Sequence, residues 1–232
     1  MSITARDTSR TITVLGATGM VGRRVVEEAR ARGHLVTAVA RRAGSITDRE
    51  GLRALAADAT DPASLATALE GADTVVLTVR LPPGQEATLT PLTAEVLEAA
   101  ARAGARVVVV GGAGALRSPE DPGRLLRDDE RYVPASWRPL AAAGVEQLAT
   151  CRRRSQQDWT YLSPPALLED GPRTGGYRRG KDTLLTDTDG VSRISAADLA
   201  IAVLDEIERP GPDRHWTVAR IEPRDLMDMN AG

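Results

Sequence analysis

The sequence predicts an α/β protein in which helices cover both faces of a single doubly wound parallel sheet. Three observations support this prediction. Apolar β-type runs alternate with amphipathic helical stretches, a glycine-rich turn joins the first such pair, and 232 residues suit one domain of this class. Because strands separated by helices need crossover connections, the sheet is expected to be parallel. Ligands of such sheets bind at the carboxyl ends of the strands.

A glycine motif follows the first predicted strand, which is the apolar and β-branched run over 11–15. The motif reads V-L-G-A-T-G-M-V-G over 14–22, and a helical pattern over 20–32 and a second strand over 35–40 come after it. A strand, a glycine turn, a helix and a second strand within about 30 residues form the βαβ unit that holds dinucleotides. The sequence therefore predicts a Rossmann-type domain with a nicotinamide cofactor.

Each glycine of the motif has its own physical role. Gly16 permits a tight turn, Gly19 lets the backbone approach the phosphates, and Gly22 lets the helix pack closely on the strand. The pyrophosphate is expected at the helix N-terminus, where free N–H groups and the helix dipole favour an anion. The cofactor contacts predicted from this motif are Gly16, Thr18, Gly19, Met20, Val21 and Gly22.

The second strand is followed by Arg41 and Arg42, without a nearby acidic residue. An acidic residue at this position binds the ribose 2′-hydroxyl of NAD, whereas arginine accommodates the 2′-phosphate of NADP. Arg23 and Arg24, on the first turn of the helix, are placed to add positive charge on the same side. NADPH is therefore the expected cofactor, and solvated arginines in an arginine-rich chain are the alternative interpretation.

The α/β alternation continues through the remainder of the chain. Asp61 and Ser195 are expected to cap the helices that follow them, and Gly104 is expected to end another helix. The further predicted strands are 74–79, 106–110, 159–162 and 215–218, and the further predicted helices are 62–70, 91–103, 137–152 and 195–207. Segment 117–134 is expected to be either a substrate lid or a disordered insertion, and 171–189 a loop or irregular hairpin.

These elements predict one Rossmann domain with short tails. The predicted division is a disordered tail at 1–10, the domain at 11–220 and a second tail at 221–232, with a substrate crevice built by loops 78–90, 111–135 and 163–190. The first ten residues contain no apolar stretch for a signal peptide or membrane anchor, and the single Cys151 excludes an internal disulfide. A cytoplasmic monomer or homodimer is the expected form.

Composition and spacing exclude several classes of function. A formal net charge of −2 and a pI near 5.8 give no electrostatic basis for binding nucleic acid or a membrane, so the expected partner is a small-molecule substrate. The sequence has no histidine and cysteine spacing typical of zinc, no G-x-S-x-G elbow and no paired carboxylates on one predicted face. A metal site and the chemistry of serine hydrolases or glycosidases are therefore not expected.

Four motifs carry a family resemblance. They are G-A-T-G-M-V-G after the first strand, D-W-T-Y-L-S-P-P around the strand 159–162, and then G-P-R-T-G-G-Y-R and I-S-A-A-D-L-A. In this order they make the chain resemble the atypical short-chain dehydrogenase/reductases, and most closely the NmrA-like and biliverdin- or flavin-reductase-like NAD(P)H-binding proteins. The resemblance spans 11–218 and implies an NADPH-bound Rossmann domain.

The resemblance also implies how the cofactor lies along the strand ends. From one end of the cofactor to the other, the expected neighbours are Arg41 at the 2′-phosphate, Asp58 and Ala59 at the adenine, Val79, Arg80 and Leu81 on the ribose and nicotinamide side, Gly112 and Ala113 beside the nicotinamide, and Ser163, Pro164 and Pro165 behind it.

Two departures from typical short-chain dehydrogenases affect the expected chemistry. Those enzymes use a Tyr-x-x-x-Lys pair in which the lysine lowers the tyrosine pKa, but here Tyr132 is followed four residues later by Ser136. Tyr177 and Lys181 have the spacing, yet they lie in a predicted loop and not on a helix. The run G-G-A-G-A over 111–115 offers no hydroxyl where relatives often have serine to bind a carbonyl.

Without that pair, a hydride can still be delivered to a flavin, quinone or enone that stabilises its own negative charge. Arg80 is a weak catalytic candidate that would stabilise this charge, unless it pairs with Glu86, and Tyr132 is the other weak candidate. The predicted substrate-binding residues are Leu116, Arg173 and Thr174, of which the last two have turn structure as their alternative role.

The leading hypothesis is therefore an NADPH-dependent reductase of a small conjugated acceptor. Two alternatives remain: an NADP(H)-binding redox sensor without turnover, and a non-redox isomerase, dehydratase or cyclase of a specialised metabolite on the same fold. Tyr161 is expected to lie in the core. Neither histidine is expected to act as a catalytic base: His34 is expected to belong to a turn or strand start, and His215 lies far from the crevice in sequence order.

Overall fold

The computed structural model describes residues 9–221, so the predicted tails lie outside it except for residues 9, 10 and 221. Eight strands form the main sheet: β1 (Thr11–Leu15), β2 (Leu35–Ala40), β3 (Leu52–Ala56), β4 (Thr74–Leu77), β5 (Arg106–Val110), β6 (Trp159–Ser163), β8 (Tyr177–Gly180) and β10 (His215–Arg220). A separate parallel pair consists of β7 (Leu167–Glu169) and β9 (Arg193–Ser195).

The strand order across the main sheet is β3-β2-β1-β4-β5-β6-β10-β8. All neighbours are parallel except β8, which runs antiparallel to β10. The chain builds outward from β1 to β3, then returns to the other side of β1 and builds outward again from β4. The direction of winding therefore changes between β1 and β4, which is where such sheets bind their ligands.

Five helices cover the two faces of the sheet: α1 (Met20–Ala31), α2 (Pro62–Leu69), α3 (Leu89–Ala103), α4 (Arg138–Arg153) and α5 (Ala196–Glu208). One apolar core contains buried residues of α1 and α5, and a second contains those of α2, α3 and α4. The central strands alternate side chains between these cores, so their sequences are apolar almost throughout. The predicted doubly wound Rossmann-type fold with helices on both faces is confirmed.

The predicted helix caps at Asp61, Gly104 and Ser195 are also confirmed. The Asp61 carboxylate accepts a hydrogen bond from the Ser64 N–H at 2.9 Å, and the Ser195 hydroxyl accepts one from the Asp198 N–H at 3.0 Å. Gly104 ends α3 with a φ of +71°, a left-handed conformation that glycine adopts without strain.

Two strands of the main sheet were not predicted. β3 has the sequence L-R-A-L-A, and only its first residue is fully buried. β8 lies in the segment predicted as a loop or irregular hairpin, and its sequence Y-R-R-G carries two arginines. Both are edge strands, where short length and charged side chains protect against pairing with another chain. These features also weaken the apolar pattern by which strands are predicted.

The insertion over 117–134 is ordered in the structure. Arg117 forms isolated β-bridges with Leu125 and Thr183, and Leu126 is completely buried. A small third core packs the insertion against the segment after β5 and consists of Leu116, Leu126, Val133 and Leu184, with Ala141 of α4 packed against it. Of the two alternatives for this segment, disorder is therefore excluded, and its role as a lid stays a prediction.

A buried carboxylate joins α5 to two strands of the sheet. Glu206 is 0% exposed and accepts hydrogen bonds from Arg106 of β5 and Arg179 of β8, both at 2.8 Å. The backbone N–H of Gly211 donates to the same carboxylate at 3.2 Å. A charge in this position needs such partners, because burial without them carries a large desolvation cost.

Candidate cofactor site

The glycine turn packs against the end of β4 so closely that side chains are excluded. Gly16 has a φ of +87°, and a Cβ there would lie 3.0 Å from the backbone of Thr78. A Cβ on Gly22 would lie 2.2 Å from the Gly16 carbonyl oxygen. The tight turn and the close packing expected of these two glycines are therefore present. Contact of the turn with a cofactor stays a prediction.

The N-terminus of α1 lies next to this turn and carries no side-chain cap. Its first residue follows Gly19, and its first turn contains no acidic residue. Of the other helices, α2 and α5 are capped by Asp61 and Ser195, whereas α3 and α4 also have no side-chain cap, so it is the position of α1 beside the glycine turn that distinguishes it. The first N–H groups of a helix need partners from outside the helix. This end of α1, at the change of winding between β1 and β4, thus suits the pyrophosphate of a dinucleotide.

Two arginines follow the end of β2, and Asp58 follows the end of the neighbouring strand β3. Arg41 and Arg42 are exposed and form no hydrogen bond or ion pair with the residues that the structure describes. The nearby Asp58 carboxylate accepts bonds from the Thr60 N–H at 2.9 Å and the Thr60 hydroxyl at 2.7 Å, and these bonds, with a smaller contribution from the charge of Arg41, lower its pKa. Ala59 is half-buried against the core. Both guanidinium groups are thus available to a phosphate.

Arg23 and Arg24 are not available in the same way. Both pair with the Asp170 carboxylate, Arg24 at 3.0 Å, and Arg24 also pairs with Glu27 at 2.9 Å. The expectation that they add free positive charge beside the cofactor is corrected, because two carboxylates balance them. Their ion pairs tie the segment after β7 to the first turns of α1.

The segment after β4 brings Arg80 to an aromatic ring. The Arg80 guanidinium carbon lies 5.4 Å from the ring centroid of Trp137, which immediately precedes α4. Glu86, considered above as a partner of Arg80, instead accepts a hydrogen bond from the Gly84 N–H at 2.9 Å. Arg80 is exposed, and Val79 and Leu81 beside it are half-buried. Sequence reasoning did not single out Trp137.

The segment after β5 packs on a buried tyrosine. A Cβ on Gly111 would lie 1.9 Å from the Tyr161 hydroxyl oxygen, whereas a Cβ on Gly112 would meet no atom within 4 Å. Tyr161 is 0% exposed, and its hydroxyl lies 3.1 Å from both the Gly144 carbonyl oxygen and Oε1 of Gln147. The expected core role of Tyr161 is confirmed. Gly112 and Ala113 themselves offer no side-chain hydroxyl.

These positions together match a known family. The family model described as NAD(P)H-binding matches residues 16–207. This chain belongs to the NAD(P)H-binding family. The match confirms the resemblance to atypical, NmrA-like short-chain dehydrogenase/reductases.

Three similar proteins put this membership in context. A Burkholderia pseudomallei protein of solved structure, provisionally named an exported protein, is 39% identical with a TM-score of 0.81, over 90% of this chain and 99% of that one. A Streptococcus pneumoniae structure, provisionally named an NADH-flavin reductase, is 29% identical with a TM-score of 0.77, over 92% and 100%. The 3-diazoavenalumate denitrifying reductase of a Streptomyces species is 35% identical over 187 residues, 75% of this chain and 60% of that protein.

As an NAD(P)H-binding protein, the chain lacks an activated tyrosine in the part that the structure describes. The Tyr132 hydroxyl donates to Glu120 Oε1 at 3.0 Å. Burial raises the pKa of Tyr132, and the hydrogen bond to this carboxylate raises it further. The Tyr177 hydroxyl donates to Asp205 Oδ2 at 2.9 Å, and burial raises its pKa also. A catalytic tyrosine of a Tyr-x-x-x-Lys pair has the opposite shift, so neither tyrosine resembles one.

The strand end of β6 contains a histidine partner that sequence order did not suggest. His215 begins β10, which pairs with β6, and its Nε2 lies 2.9 Å from the Ser163 hydroxyl oxygen. Burial, and then the charge of Arg152, lowers the pKa of His215 to about 4. His215 is therefore close to a predicted cofactor residue, which corrects the expectation that it lies far from the crevice. Pro164 and Pro165 are buried.

The predicted substrate residues have structural partners. Leu116 is 0% exposed in the third core. Arg173 pairs with Glu28 through Nε at 2.9 Å, and the Thr174 N–H and hydroxyl donate to Asp198 at 2.8 and 2.7 Å. For Arg173 and Thr174 this is the turn structure considered as the alternative. Contact of these residues with a substrate stays a prediction, and the Arg173 side chain remains 55% exposed in its ion pair.

A cavity elsewhere in the described structure does not compete with this site for the cofactor. A cavity of about 550 Å³ lies at the amino edge of the sheet, opposite the glycine turn, and its lining contains three arginines and three aspartates. Its charges balance, so it does not suit the phosphates of a dinucleotide. Among residues 9–221, no group of three or more histidine, cysteine, aspartate or glutamate side chains is placed to hold a metal ion, and no helix is long and apolar enough to cross a membrane.

Proposed function

We propose that this protein is an NADPH-dependent reductase of a small, planar, conjugated acceptor such as a flavin, quinone or enone. The observation that carries the proposal is the uncapped N-terminus of α1 beside the glycine turn, together with Arg41 and Arg42, which form no hydrogen bond or ion pair in the described residues and follow β2 at the same strand edge. An uncapped helix suits the pyrophosphate, and free guanidinium groups suit the additional phosphate of NADPH.

The residues present fit this cofactor. Gly16, Gly19 and Gly22 would hold the pyrophosphate against backbone N–H groups, since the packing on Thr78 leaves this surface without side chains. The adenine half would lie over Asp58 and Ala59, and the nicotinamide half would lie over residues 79–81 and 112–113, with 163–165 behind it. Bound there, NADPH supplies a hydride, which is two electrons and one proton, and becomes NADP⁺.

The surroundings favour an acceptor that needs no protein acid. Tyr132 and Tyr177 are each held by a carboxylate, and neither has a lowered pKa. A conjugated acceptor delocalises the negative charge that it gains with the hydride and takes its second proton from water. Carbonyl reduction, which protonates a localised alkoxide, fits this chain less well.

The similar proteins support a reductase. One relative is named a denitrifying reductase and one solved structure is provisionally named an NADH-flavin reductase. The preference for NADPH over NADH rests on Arg41 and Arg42 alone.

The test follows the absorbance of NADPH under anaerobic conditions with FMN, menadione and a cyclic enone, after fluorescence titration of NADPH and NADH. Arg41→Gln is expected to weaken NADPH about tenfold and NADH less than twofold, because a charge-assisted phosphate contact is lost. Arg53→Gln, which removes an exposed arginine of β3 without a partner among the described residues, is the matched control. Tight NADPH binding without acceptor-dependent oxidation would contradict the reductase and favour a sensor or a non-redox enzyme.

A further inference from the structure

We propose that Arg80 and Trp137 form the acceptor subsite, in which the indole stacks on a planar ring and the guanidinium binds an anionic substituent of the same molecule. This inference rests on the proposed reductase function and makes it more specific, because it predicts an acceptor that is both planar and negatively charged.

Topology places the two residues at the correct edge of the sheet. Arg80 is three residues beyond the carboxyl end of β4. Trp137 precedes α4, a helix that leads from the carboxyl edge of β5 back to the amino end of β6. Both side chains therefore lie at the edge that contains the glycine turn, and on the β4–β5 side of it, which is the nicotinamide half of a Rossmann site.

Exposure separates Trp137 from the other aromatic residues. In the part of the chain that the structure describes, the exposed large apolar side chains are Leu35 at 55%, Trp137 at 51% and Leu167 at 45%. Leu35 begins β2 at the amino edge, whereas Trp137 and Leu167 both follow strands at the carboxyl edge. An exposed indole beside a ligand crevice supplies a large, rigid surface for a conjugated ring.

The positive charge of Arg80 would make the same pair selective for acceptors that carry an anionic group. Arg80 forms no ion pair with a carboxylate in the described residues, and its closest acidic neighbour in sequence, Glu86, is turned to the Gly84 N–H. Among the described residues, its guanidinium contacts the indole of Trp137, with 5.4 Å from the guanidinium carbon to the ring centroid. A guanidinium that stacks on an aromatic ring keeps its edge free for a bidentate bond to phosphate or carboxylate. The pair therefore combines a stacking plane with an unneutralised cation.

FMN and riboflavin test this arrangement because they share one ring system and differ in a phosphate. The measurements are kcat/KM for each flavin at saturating NADPH, and Kd for each oxidised flavin on the NADP⁺-bound protein, from the quenching of flavin fluorescence. Arg80→Gln is expected to lower the ratio of kcat/KM for FMN to kcat/KM for riboflavin about tenfold at saturating NADPH, since only FMN has the charged group. Trp137→Ala is expected to weaken both flavins about tenfold, and Trp137→Phe to retain most of the affinity.

Two controls match these changes in side-chain type. Leu35→Ala removes an equally exposed apolar side chain at the opposite edge, and Arg53→Gln removes an exposed arginine of β3. Both are expected to leave the two flavin affinities within twofold of the unchanged protein, and NADPH affinity is measured for every variant.

The outcomes distinguish a failure of the proposed acceptor subsite from a failure of the proposed reductase function. Flavin binding that depends on Trp137 and Arg80, without NADPH oxidation, would support the subsite and overturn the reductase. Flavin reduction with the same FMN-to-riboflavin ratio in Arg80→Gln, or with full affinity in Trp137→Ala, would overturn the subsite and leave the reductase standing. The absence of FMN binding to the unchanged protein would also overturn the subsite.

Discussion

His215 and Ser163 are joined across neighbouring parallel strands, with 2.9 Å between the imidazole Nε2 and the hydroxyl oxygen. Nδ1 of His215 is buried and has no hydrogen-bond partner among the described residues. The ring also makes an edge contact with Tyr161, with the two centroids 5.6 Å apart. A protonated imidazole would place a charge in these surroundings, so the neutral form is stabilised and the pKa falls to about 4.

Protonation of His215 is expected to destabilise the protein in mild acid. Its pKa is about 4 in the folded protein and near 6.5 in the unfolded chain, so between these values the unfolded state binds more protons. Stability therefore rises with pH across this window, and the contribution is complete above 6.5. Between pH 7 and pH 5 the free energy of unfolding is expected to fall by about 2 kcal/mol from this group.

Urea unfolding of His215→Gln at pH 7 and pH 5 checks the expectation. The variant is expected to lose less stability between the two pH values than the unchanged protein. His34→Gln, which alters the other histidine, is the control and is expected to keep the loss. An unchanged pH dependence in His215→Gln would show that other groups cause it.

Local patterns in the sequence were sufficient to predict the strands, the turn and the helices that surround the candidate cofactor site. The β1 strand, the glycine turn and α1 can be predicted from apolar periodicity and glycine spacing. Asp61 and Ser195 mark helix starts because each side chain accepts a hydrogen bond from the backbone N–H three residues later in the chain. The fold class and the family follow from these features because each depends on neighbours in sequence.

Contacts between distant segments could not be predicted in this way. The residues of the Arg23–Asp170 pair are 147 positions apart, and those of the Ser163–His215 pair are 52 apart. Their meeting depends on strand order and loop paths, which periodicity does not encode. The aromatic partner of Arg80 was missed for the same reason, although a tryptophan in the polar stretch before a helix was a signal that could have been weighed.

Gly111 and Gly112 are expected to respond oppositely to an added side chain. A Cβ on Gly111 would overlap the fully buried Tyr161 ring, with 1.9 Å to its hydroxyl oxygen, and Gly112 has free space. Gly111→Ala is expected to reduce the free energy of unfolding by about 1–3 kcal/mol through overpacking. Gly112→Ala is the matched control and is expected to change it by less than about 0.5 kcal/mol. Equal stabilities in urea would mean that Tyr161 moves freely, against the packing described.

Glu206 is expected to be far more important for stability than an exposed carboxylate. Glu206→Gln leaves Arg106 and Arg179 facing a neutral amide, so we expect a loss of about 3 kcal/mol in the free energy of unfolding. Glu98, 47% exposed and 2.7 Å from Arg154, provides the comparison. Glu98→Gln is expected to cost less than about 1 kcal/mol because solvent screens the pair. Similar losses in the two variants, measured by urea unfolding, would contradict a special role for the buried carboxylate.

Asp170 is expected to weaken the electrostatic attraction between the phosphates of the cofactor and the first turn of α1. Its carboxylate pairs with both Arg23 and Arg24, and Glu27 pairs with Arg24, so Asp170→Asn leaves uncompensated positive charge beside the helix end proposed for the pyrophosphate. NADPH affinity is expected to rise about two- to threefold at low salt and to return towards that of the unchanged protein at high salt, as screening predicts. Asp213→Asn removes the same charge before β10, at the opposite edge of the sheet, and is expected to leave the affinity unchanged. A fall in affinity in Asp170→Asn, measured by fluorescence titration, would mean that Asp170 instead positions α1 for binding.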